Sequence, residues 1–168
     1  MHNKLLLSTM IGFIVVSILG TLGHFVYDWT GQNVFVGFLF PINESTWEHM
    51  KLAFFPMLFW FFLEGKWHKK QEPFSSCVNL ASALIATFFI PVLFYTYSGI
   101  LGQNYSPLDI ATYYVSILLA FILRYFMLKK NWHPKNCWLI GLLVILMSIG
   151  FFIFTYYPPS LGIFQNPE

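Results

Sequence analysis

An all-α integral membrane bundle of five transmembrane helices, with the N-terminus in and the C-terminus out, is the fold class this sequence predicts. Three observations predict it. The first is composition: of 168 residues, 57% are hydrophobic, 21% aromatic and only 10% charged, which is far from the mix of a soluble domain. The second is run length. A helix needs about 20 apolar residues to cross a hydrocarbon core of about 30 Å, and the apolar runs set spans at about 5–26, 45–64, 78–101, 107–128 and 137–157. The third is sidedness: Lys4, Lys66, Lys69, Lys70, Arg124, Lys129, Lys130 and Lys135 fall at the N-terminus, after the second span or around the loop after the fourth. The opposite face carries Asp28, Glu44, Glu48, Asp109 and Glu168, with Lys51 as its basic exception. Under the positive-inside rule the lysine-rich face is cytoplasmic. Connections are short, so residues 1–168 read as a single transmembrane domain whose surroundings are the lipid bilayer. The net charge of +2 is this loop bias and gives no basic surface for nucleic acid.

The first span is too long for the apolar region of a signal peptide and lacks a small-x-small cleavage site, so it is expected to stay in the mature protein. Ser17, Thr21, His24 and Asp28 recur along it at i, i+4, i+7 and i+11, which makes one polar stripe. Gly20 and Gly23 sit beside the stripe and allow a neighbouring backbone to approach, so the stripe is expected to face protein.

The second span poses the main question. Its uncharged core, residues 52–63, gives only ~18 Å of helix. A crossing must therefore include the charged stretch before it and run over about 45–64, drawing Lys51, His49 and Glu48 below the outer headgroups. Ionisable groups at such depth cost about 2.5–3.5 kcal/mol each at the bilayer centre and need partners. Glu48 and Lys51 are spaced i, i+3 and can pair. The apolar segment 34–41 is too short to span and reads as interfacial or re-entrant, a roof over the polar groups.

The remaining spans are plainer. Pro56 and Pro91 lie inside the second and third and are expected to kink them. The fourth has Ser106 as N-cap, Pro107 at N1 and Asp109 at N3, which gives Asp109 a capping role. Arg124, one turn from the interface, reads as a snorkelling side chain. Cys77 and Cys137 both fall at cytoplasmic helix ends in this scheme, where thiols stay reduced, so no structural disulfide is expected.

If the first two spans pack together, His24 and Asp28 meet Glu44, Glu48, His49 and Lys51 at the outer mouth of the bundle. Neutral imidazoles and carboxylates are the ligands of zinc-type divalent ions, and His24, His49 and one carboxylate, Glu44 or else Glu48 or Asp28, supply a three-ligand set with one position left open. Glu48, His49 and Lys51 supply general acid-base chemistry toward a lipid-linked or periplasmic substrate if the site is catalytic. Asn43 and Trp47 stand beside them as ligand-binding or capping groups. Two other readings compete. Ser45-Thr46-Trp47-Glu48 matches the S-x-x-E capping box, so the stretch can be a capped helix start in a non-enzymatic membrane partner or protective protein. Acidic and histidine groups at membrane depth also mark proton or solute paths.

The strings Gly23-His24-Phe25, Tyr27-Asp28-Trp29, Asn33, Pro41-Ile42-Asn43-Glu44-Ser45, Trp47-Glu48-His49, Lys51 and Phe54-Phe55-Pro56-Met57 resemble an uncharacterised family of small multi-pass bacterial membrane proteins, a domain of unknown function marked by N-E-S-x-W-E-H-x-K. The resemblance covers the first third of the chain and names no reaction. It implies a bacterial cytoplasmic membrane.

Overall fold

Helices account for nearly all regular structure in the computed structural model, which describes residues 2–68, 75–132 and 134–167. Lys69, Lys70 and Glu168, used above to orient the chain, lie outside these residues. In chain order the elements are α1 (His2–Trp29), α2 (Val34–Gly37), α3 (Thr46–His68), α4 (Ser76–Leu101), α5 (Ser106–Lys129), α6 (Cys137–Tyr156) and a 3-10 turn (Gly162–Phe164). No strand occurs among the described residues. Four helices, α1, α4, α5 and α6, are long and apolar enough to cross a membrane. Large apolar side chains stand exposed on them, such as Leu7, Ile14, Ile18, Val92, Ile122 and Ile145. Such faces suit hydrocarbon, where they cost nothing.

The helix the sequence makes least apolar, α3, is the one the bundle buries most. It touches α1, α4, α5, α6 and the 3-10 turn, and Met50, Leu52, Ala53, Phe54, Met57, Trp60 and Phe61 on it are all core residues. Pro56 and Pro91 lie inside continuous α3 and α4. Gly20 and Gly23 sit on α1 where it meets α3. A methyl group at Gly20 would lie 2.6 Å from the Leu52 carbonyl oxygen, and one at Gly23 would touch Phe40 and Leu52. The hydroxyl of Tyr113 on α5 closes the same junction by donating to Val16 O at 2.8 Å.

Three local expectations are corrected. Cys77 and Cys137 form a disulfide, with Cα atoms 5.4 Å apart. The starts of α4 and α6 are brought side by side, a juxtaposition that a sequence separation of 60 conceals. Arg124 does not snorkel. It is fully buried, paired with Glu64 of α3, and donates from Nε to Asn79 Oδ1 at 2.7 Å. Asn79 also donates to Glu64 at 3.2 Å, and Ser8 of α1 donates to the same carboxylate. This joins four helices around one ion pair. Finally, α5 starts one residue early: Tyr105 is the N-cap, and Asp109 accepts from the Tyr97 hydroxyl of α4 instead of capping its own helix.

Candidate functional site

The start of α3 is set by short-range hydrogen bonds. Asn43 Oδ1 accepts from Ser45 N at 2.9 Å, and Ser45 Oγ accepts from Glu48 N at 3.4 Å. Half of the capping box is thus present. The reciprocal arm is not, because the Glu48 side chain turns away toward Ile42 N, 3.0 Å from Oε2.

That turn separates two polar groups which the sequence places together. Glu48 and Lys51 lie on the α6 side of α3, fully enclosed. The Lys51 ammonium donates to Glu48 Oε2 at 2.7 Å, to Gly37 O at 2.8 Å and to Thr155 Oγ1 at 2.5 Å. Its three donors are therefore all satisfied. Thr155 also lies 3.0 Å from Glu48 Oε1. The segment 34–41 roofs this pair and not the histidines. Gly37 leaves no room for a side chain between Tyr156, Ile42 and Tyr27, and Tyr156 donates to Val34 O at 2.7 Å. Trp47 packs among Phe151, Phe154 and Phe164. Asp28 is exposed near the end of α1.

The other group faces α1. His24 Nε2 and His49 Nε2 are 3.2 Å apart, and Glu44 Oε2 lies 3.5 Å from the first and 3.4 Å from the second. One ligand atom from each of the three residues falls within 4.8 Å of the other two. His49 Nδ1 sits 3.0 Å from the Ser45 carbonyl oxygen. A carbonyl only accepts, so Nδ1 carries a proton and the neutral ring offers its Nε2 lone pair to the cluster. When Nε2 carries a proton as well, the His49 ring donates to Glu44 and holds that carboxyl below its ordinary range. Two imidazole nitrogens and a carboxylate oxygen thus converge on one point that calls for positive charge.

These three residues line a cavity of about 460 Å³ between α1, α3, α4 and α5. Asp109, read above as a helix cap, lines it too, along with Thr21, Thr112, Tyr113 and Tyr114. Thr21 and Tyr114 bridge α1 and α5 through their hydroxyls at 2.8 Å. Glu48, Lys51 and Asp28 are not among the lining residues. Sequence spacing alone does not bring α5 to this site, since nothing in residues 106–114 marks them as neighbours of His24.

The model of one protein family, described as a family of unknown function, DUF6512, matches residues 2–167 of the chain. No curated protein and no solved structure matches it.

Proposed function

We propose, for a chain that belongs to the DUF6512 family of unknown function, a multi-pass membrane protein that holds a zinc-type divalent cation at one mouth of its bundle through His24, His49 and Glu44. The observation that carries this reading is the triangle of ligand atoms, with edges of 3.2, 3.4 and 3.5 Å. Zinc bonds of about 2.0–2.1 Å at a tetrahedral centre separate neighbouring ligand atoms by about 3.3–3.4 Å. The set has the composition of a site with three protein ligands and one open position, and all three residues line the cavity. Ser45 O supplies the partner that orients a ligating histidine. A proton on one ring would also bring positive charge to this point, but it would not call for three convergent edges of one length.

The membrane arrangement in this proposal has five crossings. α3 falls short of the others in apolarity because it carries Glu48, Lys51 and Glu64, yet each is neutralised inside the bundle. Its 23 residues give roughly 34 Å of helix, enough to cross. The loop lysines favour the N-terminus in and the cation site on the extracytoplasmic side of a bacterial membrane; the Cys77–Cys137 bond, at the opposite end, argues for the reverse orientation if it is oxidised in the cell. Glu48 and Lys51 have a structural role here, leaving His49, Glu44 and the cavity side chains for any chemistry.

Elemental analysis of protein purified without chelator or a histidine tag tests the reading. Wild type is expected to hold close to one zinc, manganese or iron per chain, and the His24→Ala, His49→Ala double variant none. Equal metal in both, or none in wild type after soaking with divalent ions, overturns it. Glu44→Gln, which keeps the shape and removes the charge, is expected to weaken metal retention at least about tenfold, in line with removal of one ligand or its support.

A further inference from the structure

The cavity does not end at the cation site. Its lining runs from Glu44 and His49 down α3 to Leu52 and across to Ile90 on α4, and Leu52 and Ile90 are core residues. Along α3, from Thr46 to Leu52 is under two helical turns, or roughly 9 Å. Toward the bundle interior Leu52, Ile90 and the Tyr113 ring share the wall with Thr21 and Thr112, and Phe25, Phe94 and Ile110 add apolar surface nearer the mouth. At 460 Å³ the space falls in the range of small-molecule sites, about 300–1,000 Å³. Phe25 and Ile110 are themselves 48% and 60% exposed, one turn outward of the Thr21–Tyr114 bridge that ties α1 to α5.

Charge decides what head such a ligand carries. Among the described residues, no lysine or arginine lines the cavity, while Glu44 and Asp109 both do. The protein alone therefore repels an anion, and a cation bound by the histidines supplies the attraction. A small inorganic anion would use the cation and leave the apolar wall wet, whereas a plain hydrocarbon would use the wall and leave the open coordination position empty.

We infer that the cavity receives an amphiphile with an oxyanion head, of the phosphate or carboxylate type, whose head reaches the cation at His24, His49 and Glu44 and whose aliphatic chain lies against Leu52, Ile90 and Phe94. This rests on the cation reading above. It goes further by assigning the substrate class.

The test uses the full chain in lipid nanodiscs with cobalt(II), whose visible absorption reports directly on the open coordination position. Methylphosphonate and hexylphosphonate are titrated in turn. Burial of each added methylene is worth roughly fourfold in affinity, so hexylphosphonate is expected to bind at least about tenfold more tightly even if only part of its chain is enclosed. Ile90→Phe narrows the lower cavity and is expected to bring the two affinities within about threefold. If cobalt fails to bind, the cation reading itself has failed. If cobalt binds and the two phosphonates bind equally, only the chain assignment is lost. A preference for hexylphosphonate that survives Ile90→Phe places the chain in the surrounding lipid and also overturns it. So does tight binding of hexyltrimethylammonium to metal-free protein, which would make Glu44 and Asp109 a site for a lipophilic cation.

Discussion

Replacing Arg124 with methionine tests the buried pair at the end of the bundle opposite the cation site. Arg124 is fully buried, Glu64 is 1% exposed, and the guanidinium carbon lies 5.0 Å from the centre of the Phe61 ring. The substitution keeps most of the aliphatic volume and removes the charge. Glu64 then keeps only Ser8 and Asn79 as partners. Breaking a buried ion pair from one side costs about 3–5 kcal/mol, because the remaining charge stays out of water without compensation. For a chain of this size 1 kcal/mol corresponds to roughly 2–4 °C, so the thermal midpoint is expected to fall by roughly 6–20 °C. Glu64→Gln alone should cost a similar amount. The Arg124→Met, Glu64→Gln double variant should lose less than either single change, since a neutral pair in the same space pays no charge penalty. Unfolding in mixed detergent micelles, followed by tryptophan fluorescence, gives all four corners of the cycle. A single-variant loss below about 1 kcal/mol, or a double variant that simply sums the two losses, would refute the claim that charge compensation holds these helices together.

Three further predictions follow from other parts of the bundle. Lys51→Met should cost about 3–5 kcal/mol by leaving Glu48 buried with Ile42 N and Thr155, while metal content stays at the wild-type level in whatever protein folds; loss of the metal from folded protein would tie Lys51 to the site. Gly20→Ala should lose about 1–3 kcal/mol through overpacking against the Leu52 carbonyl and Tyr113, whereas Gly99→Ala, with open space around it, should be neutral or gain up to about 1 kcal/mol; thermal midpoints of the pair decide. Reduction of Cys77–Cys137 should lower stability by about 2–4 kcal/mol, and non-reducing gels of freshly alkylated membranes will show whether the bond exists in the cell. An oxidised bond there would put the starts of α4 and α6 on an oxidising side and reverse the orientation proposed from the lysines.

Four long apolar helices, α1, α4, α5 and α6, were legible because an apolar run leaves its length in the sequence whatever it packs against. The i, i+3 pairing of Glu48 with Lys51 was legible for a similar reason, since helix geometry alone brings the two within reach. The meeting of His24 with His49 needed one further assumption, that α1 and α3 are neighbours, and Gly20 and Gly23 gave a physical reason to make it. Arg124 was misread because its partner Glu64 lies 60 residues away and no spacing rule connects them. A buried arginine and a snorkelling one look alike until the opposing carboxylate is seen. Asp109 was misread in the opposite sense: a helix-start position explained it so well locally that its facing Tyr97 and the cavity went unsuspected. The disulfide was missed because the charge bias assigned its end of the bundle to a reducing compartment, an argument about location that says nothing of which helix ends touch.

The distribution of ionic partners along α3 bears on how the chain is made. On the five-crossing arrangement, α3 leaves the ribosome before either of the groups that complete its networks: Arg124 and Thr155 come 60 and 104 residues after Glu64 and Lys51 respectively. A helix with an unpartnered Glu64 carboxylate near one end, and near the other a Glu48–Lys51 pair that still lacks Thr155, is a poor candidate to settle in lipid by itself. We expect α3 to be held, or kept at the interface, until α5 and then α6 arrive. Chains stopped short of Arg124 are expected to be recognised as orphans by membrane quality control, while those stopped just before α6 should insert and remain loosely packed. The same charges that fix the finished bundle thus set the order in which its helices can be accepted.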